Sequence, residues 1–370
     1  MIQPRAICKV VVNGVDYTQR FDPVMKSVEV TDGEGTKSDS ASITVADPEG
    51  STFMPEPDAK VEILLGHEGQ GVALAFRGKV ESVRASGSKG GGRELKISAK
   101  GLDGKSKAKE PTDRSAENKT FGEVAEEWGR AAGMNGVKIA QSIRNIRREW
   151  WGMQNESFLH WFERHADELG GTARISDNEA IMVEAGAGES ASGKKLPTIT
   201  ATWGGNIINY DVDPYTARAQ QQQTRARFYD REQARWREVQ VQVEDTDAQA
   251  RSRRTQAASS EGNARQNAQS DRKKSKRKKG GGTVTIIGDA TARPEGTLVL
   301  AQCREGVDGE YKITSITHSY SKSAGFTTKI SFGDSKGGKD KRRKKARGGS
   351  TPQAPTRTPT GAGGGAQGVQ

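Results

Sequence analysis

The histidines and cysteines are the side chains best able to hold a metal ion or to act as a base or nucleophile. His160 and His165 are five residues apart in a helical pattern, so they point about 140° apart and cannot form the i, i+4 pair that ligates a metal. His318 falls in a predicted strand, where a histidine at the edge of the core is favoured over a base. Cys8 and Cys303 also fall in predicted strands, where buried free thiols are expected. The sequence therefore predicts neither a metal site nor a bound cofactor.

A cluster of glutamates offers a second chemistry, the paired carboxylates of a glycoside hydrolase. Glu123, Glu126 and Glu127 lie close together in the chain. However, Glu126 and Arg130 have the i, i+4 spacing of an ion pair on a solvated helix face. The sequence also lacks a GxSxG nucleophile elbow, an HExxH zinc motif, a phosphate-binding P-loop and a GxGxxG motif after a strand. We therefore expect no catalytic residues and a protein that is not an enzyme.

The densest aromatic patch is the pair Trp150 and Trp151, which Arg147 and Arg148 precede. Aromatic rings beside arginines can stack on the bases of single-stranded nucleic acid. A tryptophan pair just before a helix is also well placed to cover the core of a small domain or to contact a partner. The second interpretation is favoured, and the first stays open.

The net charge of +11 at pH 7 is concentrated in two short runs, residues 271–279 and 336–347. These runs hold 15 of the 58 basic and 2 of the 47 acidic residues, so the rest of the chain has a net charge of about −2. Because dense like charges repel one another, we expect both runs to be flexible and either to bind polyanions or only to keep the protein soluble. The candidate polyanion contacts are Arg272, Lys273, Lys274, Lys276, Arg277, Lys278, Lys279, Lys341, Arg342, Arg343, Lys344 and Lys345.

Composition excludes several classes of protein. The sequence has no run of eighteen apolar residues, so we expect no membrane insertion, and its first residues lack the apolar segment of a secretory signal. Two cysteines cannot form a disulfide framework. Hydrophobic residues make up only 32% of the 370, so part of the chain must lie outside any core.

The elements that would position these residues fall into three regions. Residues 1–104 alternate apolar and polar side chains between turn residues, which predicts a small antiparallel β-barrel or sandwich. Residues 105–195 form a predicted α+β middle domain. Its first helix begins with a capping box at Thr120 and Glu123, its second with Asn155 as the cap, and its last two strands are joined by a turn at Asp177 and Asn178.

A second β region follows in two parts, residues 196–246 and 283–334, each too short to close a barrel alone. Between them, residues 247–282 are polar and basic without apolar periodicity, which predicts a linker or a disordered insertion. Residues 335–370 form a basic tail rich in glycine and proline that is expected to be disordered.

Several segments, in this order, resemble the late-control D family of phage baseplate hub proteins. The segments are SDSASITVADPEG, FRGKVESV with RELKISAKGLD, TFGEVAEEWGRAAG, MQNESFLHWFERHADELGGTARIS and GEYKITSITHSYSKSAGFTTKISF. Together they span about residues 1–334 apart from the insertion, which departs from the family pattern, as does the basic tail. The family shares its fold with the N-terminal part of type VI secretion spike proteins.

The resemblance implies a fold that is mainly β, with two tail-tube-like antiparallel β-barrels flanking a small α+β domain. It also implies a homotrimer whose six barrels form a pseudo-sixfold ring, a structural adaptor between the sixfold tail tube and the threefold central spike. The expected partners are the tail spike or needle protein, the tail tube protein and the tape-measure protein, with non-specific DNA contact. The expected location is the virion baseplate, with the host cytoplasm during assembly.

Two other functions compete with this interpretation. The first is a nucleic-acid-binding protein that acts through the two basic runs. The second is a peptidoglycan hydrolase or cell-wall binder on a tail tip, which lacks a catalytic pair, although the middle domain could still bind glycan.

Overall fold

The computed structural model describes residues 5–33, 38–102, 105–214, 222–230, 232–242, 251–254, 257–277 and 281–333. The first region is built almost entirely of strands because its β-branched residues recur at every second position. Alternate residues such as Val28, Val30, Ile43 and Val45 are buried in one core. The strands are β1 (Ala6–Val12), β2 (Val15–Asp16), β3 (Met25–Gly33), β4 (Ser40–Ala46), β5 (Lys60–His67), β6 (Gly71–Ser88) and β7 (Gly92–Lys100), with the short helix α1 (Thr18–Phe21) and a 3-10 turn at Asp22–Val24.

The middle domain packs two long helices and one short helix against two small sheets. Its elements are a 3-10 turn at Lys107–Lys109, β8 (Pro111–Thr120), α2 (Phe121–Ala131), β9 (Gly136–Ile139), α3 (Gln141–Arg144), β10 (Arg147–Ser157), α4 (Phe158–Leu169), β11 (Gly171–Ser176) and β12 (Glu179–Glu184). Strand β12 pairs antiparallel with β11 and parallel with β9, while β8 and β10 form a separate antiparallel pair. Sequence patterns predicted both long helices and the last two strands, but they missed the short helix α3 and the strands β8, β9 and β10.

The caps of the two long helices test the predicted boundaries. Thr120 and Glu123 form the predicted capping box, in which each side chain bonds the other residue's backbone N–H. The prediction of Asn155 as the second cap is wrong, because Ser157 is the N-cap and its Oγ accepts from the N–H of His160. Asn155 instead has a φ of +44° at the end of β10, a left-handed conformation that asparagine tolerates.

Two strands follow the middle domain, β13 (Thr198–Thr202) and β14 (Ile207–Asp213), and the chain then enters the insertion. The insertion contains β15 (Gln223–Asp230), β16 (Arg235–Gln242), β17 (Arg251–Arg253) and α5 (Glu261–Arg277). Strand β15 pairs antiparallel with β16 and parallel with β17. The helix covers one face of this sheet, where Ala264 and Ala268 meet Ala226 and Phe228.

These observations correct two predictions. The segment 247–282 is not a disordered linker in its described part, because α5 occupies residues 261–277 and buries two alanines one helical turn apart. Residues 223–242 do not pair with the strands of the second β region, because β15 and β16 belong to the insertion's own sheet. We use "insertion subdomain" below for the described residues between 222 and 277.

The second β region resumes after the insertion with β18 (Gly281–Ile287), β19 (Thr297–Ala301), β20 (Gly309–Ser321) and β21 (Gly325–Gly333). Strand β14 pairs with β18, β18 with β21, and β21 with β20, while β13 joins through β19. One end of the β20–β21 hairpin packs in the second core through Ile313 and Ile330. The other end packs in the first core through Tyr320 and Phe326.

The two β regions share one sheet. Strand β20 pairs along seven residues with β3, so that thirteen strands from both regions form a single hydrogen-bonded sheet around two separate cores. His318 lies in the middle of this shared pairing, opposite Val30. The long hairpin therefore fixes the second β region against the first through backbone hydrogen bonds and through apolar packing.

Candidate functional site

The histidines singled out in the sequence have structural partners. His160 is exposed and contacts Glu156 at 3.2 Å, while His165 is buried and its Nδ1–H donates to the carbonyl of Trp161 at 2.9 Å. Burial lowers the pKa of His165 to about 3 and that of His318 to about 4, so both rings are neutral at pH 7. His318 bonds Thr328 at 2.9 Å. Within the described ranges, no three histidine, cysteine or acidic side chains gather in a way that could hold a metal ion.

The cysteines and the glutamate cluster also serve the fold. Cys8 is buried, as predicted, and burial raises the pKa of its thiol to about 12, whereas Cys303 is only half-buried, so the prediction of a buried thiol there is wrong. Glu123 caps α2, and Glu127 pairs with Lys119 at 2.7 Å.

The predicted partner of Glu126 is wrong. Its carboxylate pairs with Arg144 of α3, which lies across from α2, and not with Arg130 on its own helix. This ion pair joins two elements of the middle domain.

The tryptophan pair is divided between the core and the surface. Trp151 is buried, and its Nε1–H donates to the carbonyl of Lys119 at 2.9 Å. The guanidinium of Arg148 lies 4.6 Å from the Trp151 ring and pairs with Glu168 at 3.0 Å. Trp150 remains 49% exposed, so it alone is available to contact a partner or a base.

A buried polar cluster joins the first β region to the middle domain. Arg174 of β11 pairs with Asp32 of β3 at 3.0 Å, and Ser176 donates to Asp39 at 2.6 Å. Burial, together with the nearby charge of Asp32, raises the pKa of Asp39 well above the usual aspartate range. Asp32 and Asp39 each have one buried oxygen without a hydrogen-bond partner in the described structure.

The second β region meets the other two regions beside this cluster. Arg293 donates to the carbonyl of Leu74 in β6 at 2.7 Å, and the ring of His67 bonds the carbonyl of Gly288 at 2.9 Å. A cavity of about 560 Å³ opens between the middle domain and the second β region. Its lining includes Arg174, Ile181, Ser190, Leu196, Arg293 and Pro294. Sequence reasoning missed these junction residues, because they come from segments far apart in the chain.

An apolar patch lies on the outer edge of the second β region. Strand β14 pairs with β18 on one side, and no described strand pairs with its other side. Ile208 is 47% exposed on this strand, and Trp203 just before it is 48% exposed. The rings of Trp203 and Tyr210 meet edge to face at 5.3 Å. An edge strand with exposed apolar side chains is a surface that another chain can cover.

The open face of the insertion sheet carries a dense group of arginines. Arg225, Arg227, Arg251 and Arg253 lie on this face or its edge, and with Trp236 they line a groove of about 470 Å³. Sequence analysis missed this group, because the net charge pointed to the lysine-rich runs. The alternation of cationic and apolar residues in QTRARFYD was the available signal.

The predicted polyanion contacts are only partly within the described structure. Residues 272–277 form the last turns of α5, so this run is helical and the prediction of a flexible run is wrong here. Lys278, Lys279 and the second group from Lys341 to Lys345 lie outside the described residues.

Comparisons with known proteins give consistent results. No protein-family model matches the sequence. The sequence is similar to probable baseplate hub proteins of Escherichia phage 186, with 26% identity over 190 residues, and of Escherichia phage P2, with 25% identity over 187 residues. The matches cover 51% and 50% of this chain and 48% and 47% of the relatives, so the chain spans about half the length of the curated relatives it matches.

Solved structures share the fold. A tail protein from Neisseria meningitidis has a TM-score of 0.67 at 13% identity, over 89% of this chain and 96% of that one. A 43 kDa tail protein of prophage MuSo2 from Shewanella oneidensis has a TM-score of 0.65 at 16% identity, over 88% of this chain and 97% of that one. A chain of the Francisella PdpA–VgrG complex has a TM-score of 0.51 at 9% identity, over 97% of this chain and 60% of that one.

The fold is thus the fold of phage tail proteins, mainly β with an α+β middle domain, which confirms the predicted fold class. By sequence the chain is similar to probable baseplate hub proteins of two phages, and by fold it is similar to phage tail proteins. The sequence similarity confirms the resemblance carried by its residues. None of the described helices is both long and apolar enough to cross a bilayer.

Proposed function

We propose that this protein is the structural hub of a phage or phage-like tail baseplate. The observation that carries the proposal is the single sheet that binds two separately cored β regions to one another through β20 and β3. A rigid body of this kind keeps two β regions in fixed orientation, which an adaptor between two symmetric assemblies requires. The similarity to the hub proteins of phages 186 and P2 supports the same role.

The proposed assembly is a homotrimer with a central channel, in which six β regions form a pseudo-sixfold ring. The exposed edge of β14, with Ile208 and Trp203, supports this proposal because a second copy that covers it would remove both the apolar patch and the unpaired edge. The proposed partners are the tail tube protein, the central spike or needle protein and the tape-measure protein. The proposed location is the virion baseplate, after assembly in the host cytoplasm.

Light scattering on the purified protein, coupled to size-exclusion chromatography, tests the oligomeric state. We expect a particle of three times the 39.9 kDa chain mass, and a ring in electron micrographs. Ile208→Asp together with Trp203→Glu should give a folded monomer. Met54→Asp, at a side chain that is 57% exposed in the first β region, is the matched control and should remain trimeric. A wild-type monomer at micromolar concentration contradicts the trimer.

Co-purification with tail proteins tests the adaptor role separately. The hub should bind the tube protein and the spike protein of its own particle at the same time, in a complex that persists from 50 to 200 mM salt. Failure to bind either protein contradicts the hub function, whatever the oligomeric state.

A further inference from the structure

The insertion subdomain has two sheet faces with different chemistry. On one face, Ala226 and Phe228 pack against α5. On the other face, Arg225, Arg227 and Tyr229 point away from the helix, because successive side chains of a strand alternate between faces. We propose that this open face binds single-stranded nucleic acid. The proposal stands independently of the hub function.

The arginines of the open face have more positive charge than the nearby carboxylates neutralise. Glu238 is shared between Arg225 at 3.5 Å and Arg253 at 3.2 Å. No carboxylate in the described structure lies within ion-pair distance of Arg227 or Arg251. A phosphate oxygen would supply an acceptor to these donors, because guanidinium groups bind phosphate through paired N–H bonds.

Two exposed aromatic rings lie at one end of the same face. Tyr229 and Trp236 are directly opposite each other on β15 and β16, and their rings meet edge to face at 5.4 Å. Trp236 is 59% exposed and Tyr229 is 42% exposed. The guanidinium of Arg227 lies 5.2 Å from the Trp236 ring, so arginine and tryptophan already form a stacked platform.

This combination favours a single strand over other polyanions. A duplex keeps its bases stacked inside and offers mainly phosphates to a flat surface, which leaves exposed aromatic rings unused. A single strand offers both phosphates for the arginines and free base faces for the rings. Strand β15 spans about 27 Å at 3.4 Å per residue, which suits a site at the short end of the known range of about 4 to 16 nucleotides. An acidic protein segment would use the charge but not the rings.

Fluorescence anisotropy with a labelled oligothymidine and the full-length protein tests the proposal. Wild-type protein should bind the single strand several-fold more tightly than a duplex of equal charge. Trp236→Ala should weaken single-strand binding about ten-fold, as expected for the loss of one stacking contact. Arg251→Ala should weaken it and reduce the slope of log K against log salt by about 0.7, the value for one phosphate contact.

Matched variants separate this face from general cationic attraction. Arg265→Ala removes the same charge from the exposed side of α5, where the arginine faces Glu261, and should leave binding unchanged. Met54→Ala removes another exposed apolar side chain and should also have no effect. Changing Lys273, Lys274, Lys276, Lys278 and Lys279 to Gln should lower the affinity for both nucleic acids but keep the preference for the single strand.

Three results would overturn the proposal. The first is equal affinity of the wild-type protein for duplex and single strand. The second is an equal loss of single-strand affinity in Arg251→Ala and Arg265→Ala, and the third is a single-strand affinity that Trp236→Ala leaves unchanged. Full competition by polyglutamate at matched charge would assign the face to an acidic protein segment instead. Circular dichroism of each variant must match wild type, and the exposed positions of Trp236 and Arg251 make this expected.

Discussion

The middle domain and the insertion subdomain each contain a three-stranded sheet with the same arrangement of strands, but the two sheets serve different purposes. In each, a central strand pairs antiparallel with one neighbour and parallel with the other, and a helix packs nearby. The middle domain encloses a core of twenty-three buried side chains, six of them aromatic. In the described part of the insertion subdomain the core is four buried side chains, three of which are alanines.

This difference separates stability from surface chemistry. Hydrophobic stabilisation grows with buried apolar area, so the middle domain can fold strongly while the insertion subdomain gains little from its own core. The insertion subdomain also contacts α4, where Ser270 donates to the carbonyl of Asp167 at 2.6 Å. Its outer face carries exposed arginines and aromatic rings that contribute nothing to that core. We infer that the sheet of the middle domain serves mainly to stabilise the fold, whereas the sheet of the insertion subdomain serves through the side chains that it exposes to solvent.

The largest expected effect is on the middle domain's core. Leu159→Asp would place a carboxylate among Phe158, Phe162 and their neighbours at a site that is 7% exposed. Burial of an unpaired charge costs several kcal/mol, against a typical total stability of about 5 to 15 kcal/mol. We expect thermal unfolding at much lower temperature or insoluble protein. His160→Asp, at the next residue and on the exposed side of α4, is the control. An equal loss of thermal stability in both variants would show that Leu159 does not lie on the buried face of α4.

The second prediction breaks the insertion subdomain alone. Phe228→Ala removes the one aromatic side chain in its described core, at a cost of about 3 to 5 kcal/mol by analogy with other phenylalanine deletions. We expect trypsin to cleave residues 222–277 rapidly, while the main thermal transition stays in place. Tyr229→Ala on the open face should leave the subdomain resistant. A matching fall of the main transition in Phe228→Ala would mean that the two regions unfold as one unit.

These two regions also differ in how well the sequence predicted them. The middle domain carries strong local signals, a capping box at Thr120 and large apolar residues at helical spacing, and its long helices were predicted. Helix α5 was missed because alanine is a weak apolar signal and its other positions are polar, although Ala264 and Ala268 suffice to pack against the sheet. Whether such a helix forms depends on its tertiary contacts with the sheet, and a local sequence pattern does not show these contacts.

The junction could not be predicted for a different reason. Asp32 and Arg174 are 142 residues apart in the chain, and each resembles an ordinary surface charge in its own segment. Strand β20 likewise shows its alternation, but nothing local indicates that its partner is β3. The identity of the elements follows from local periodicity, whereas long-range pairing depends on which faces remain uncovered after each region folds.

The third prediction concerns the pH dependence of this junction. Asp39 keeps its proton in the folded state well above the pH at which it ionises in the unfolded chain, because burial and Asp32 disfavour its charge. Its contribution to stability is therefore complete below about pH 4 and falls as the pH rises through the folded pKa of about 8. The amide side chain of the Asp39→Asn variant stays neutral at every pH. The melting temperature of the variant should therefore rise relative to that of the wild type as the pH increases from about 4 to about 8. Parallel curves of melting temperature against pH for the wild type and Asp39→Asn would contradict the raised pKa of Asp39.

The smallest effect is expected from removal of the insertion subdomain. Asp213 at the end of β14 pairs directly with Gly281 at the start of β18, so the two strands can be closed by a two-residue turn. Replacement of residues 214–280 by Asn-Gly loses the contacts to α4, including the hydrogen bond from Ser270 to Asp167, worth about 1 kcal/mol. We expect the shortened protein to keep its main thermal transition within a few degrees and, under the proposed assembly, to remain trimeric, while its preference for single-stranded nucleic acid disappears. If the shortened protein unfolds, the insertion subdomain stabilises the rest of the chain. The inference that it serves only through its exposed surface is then wrong.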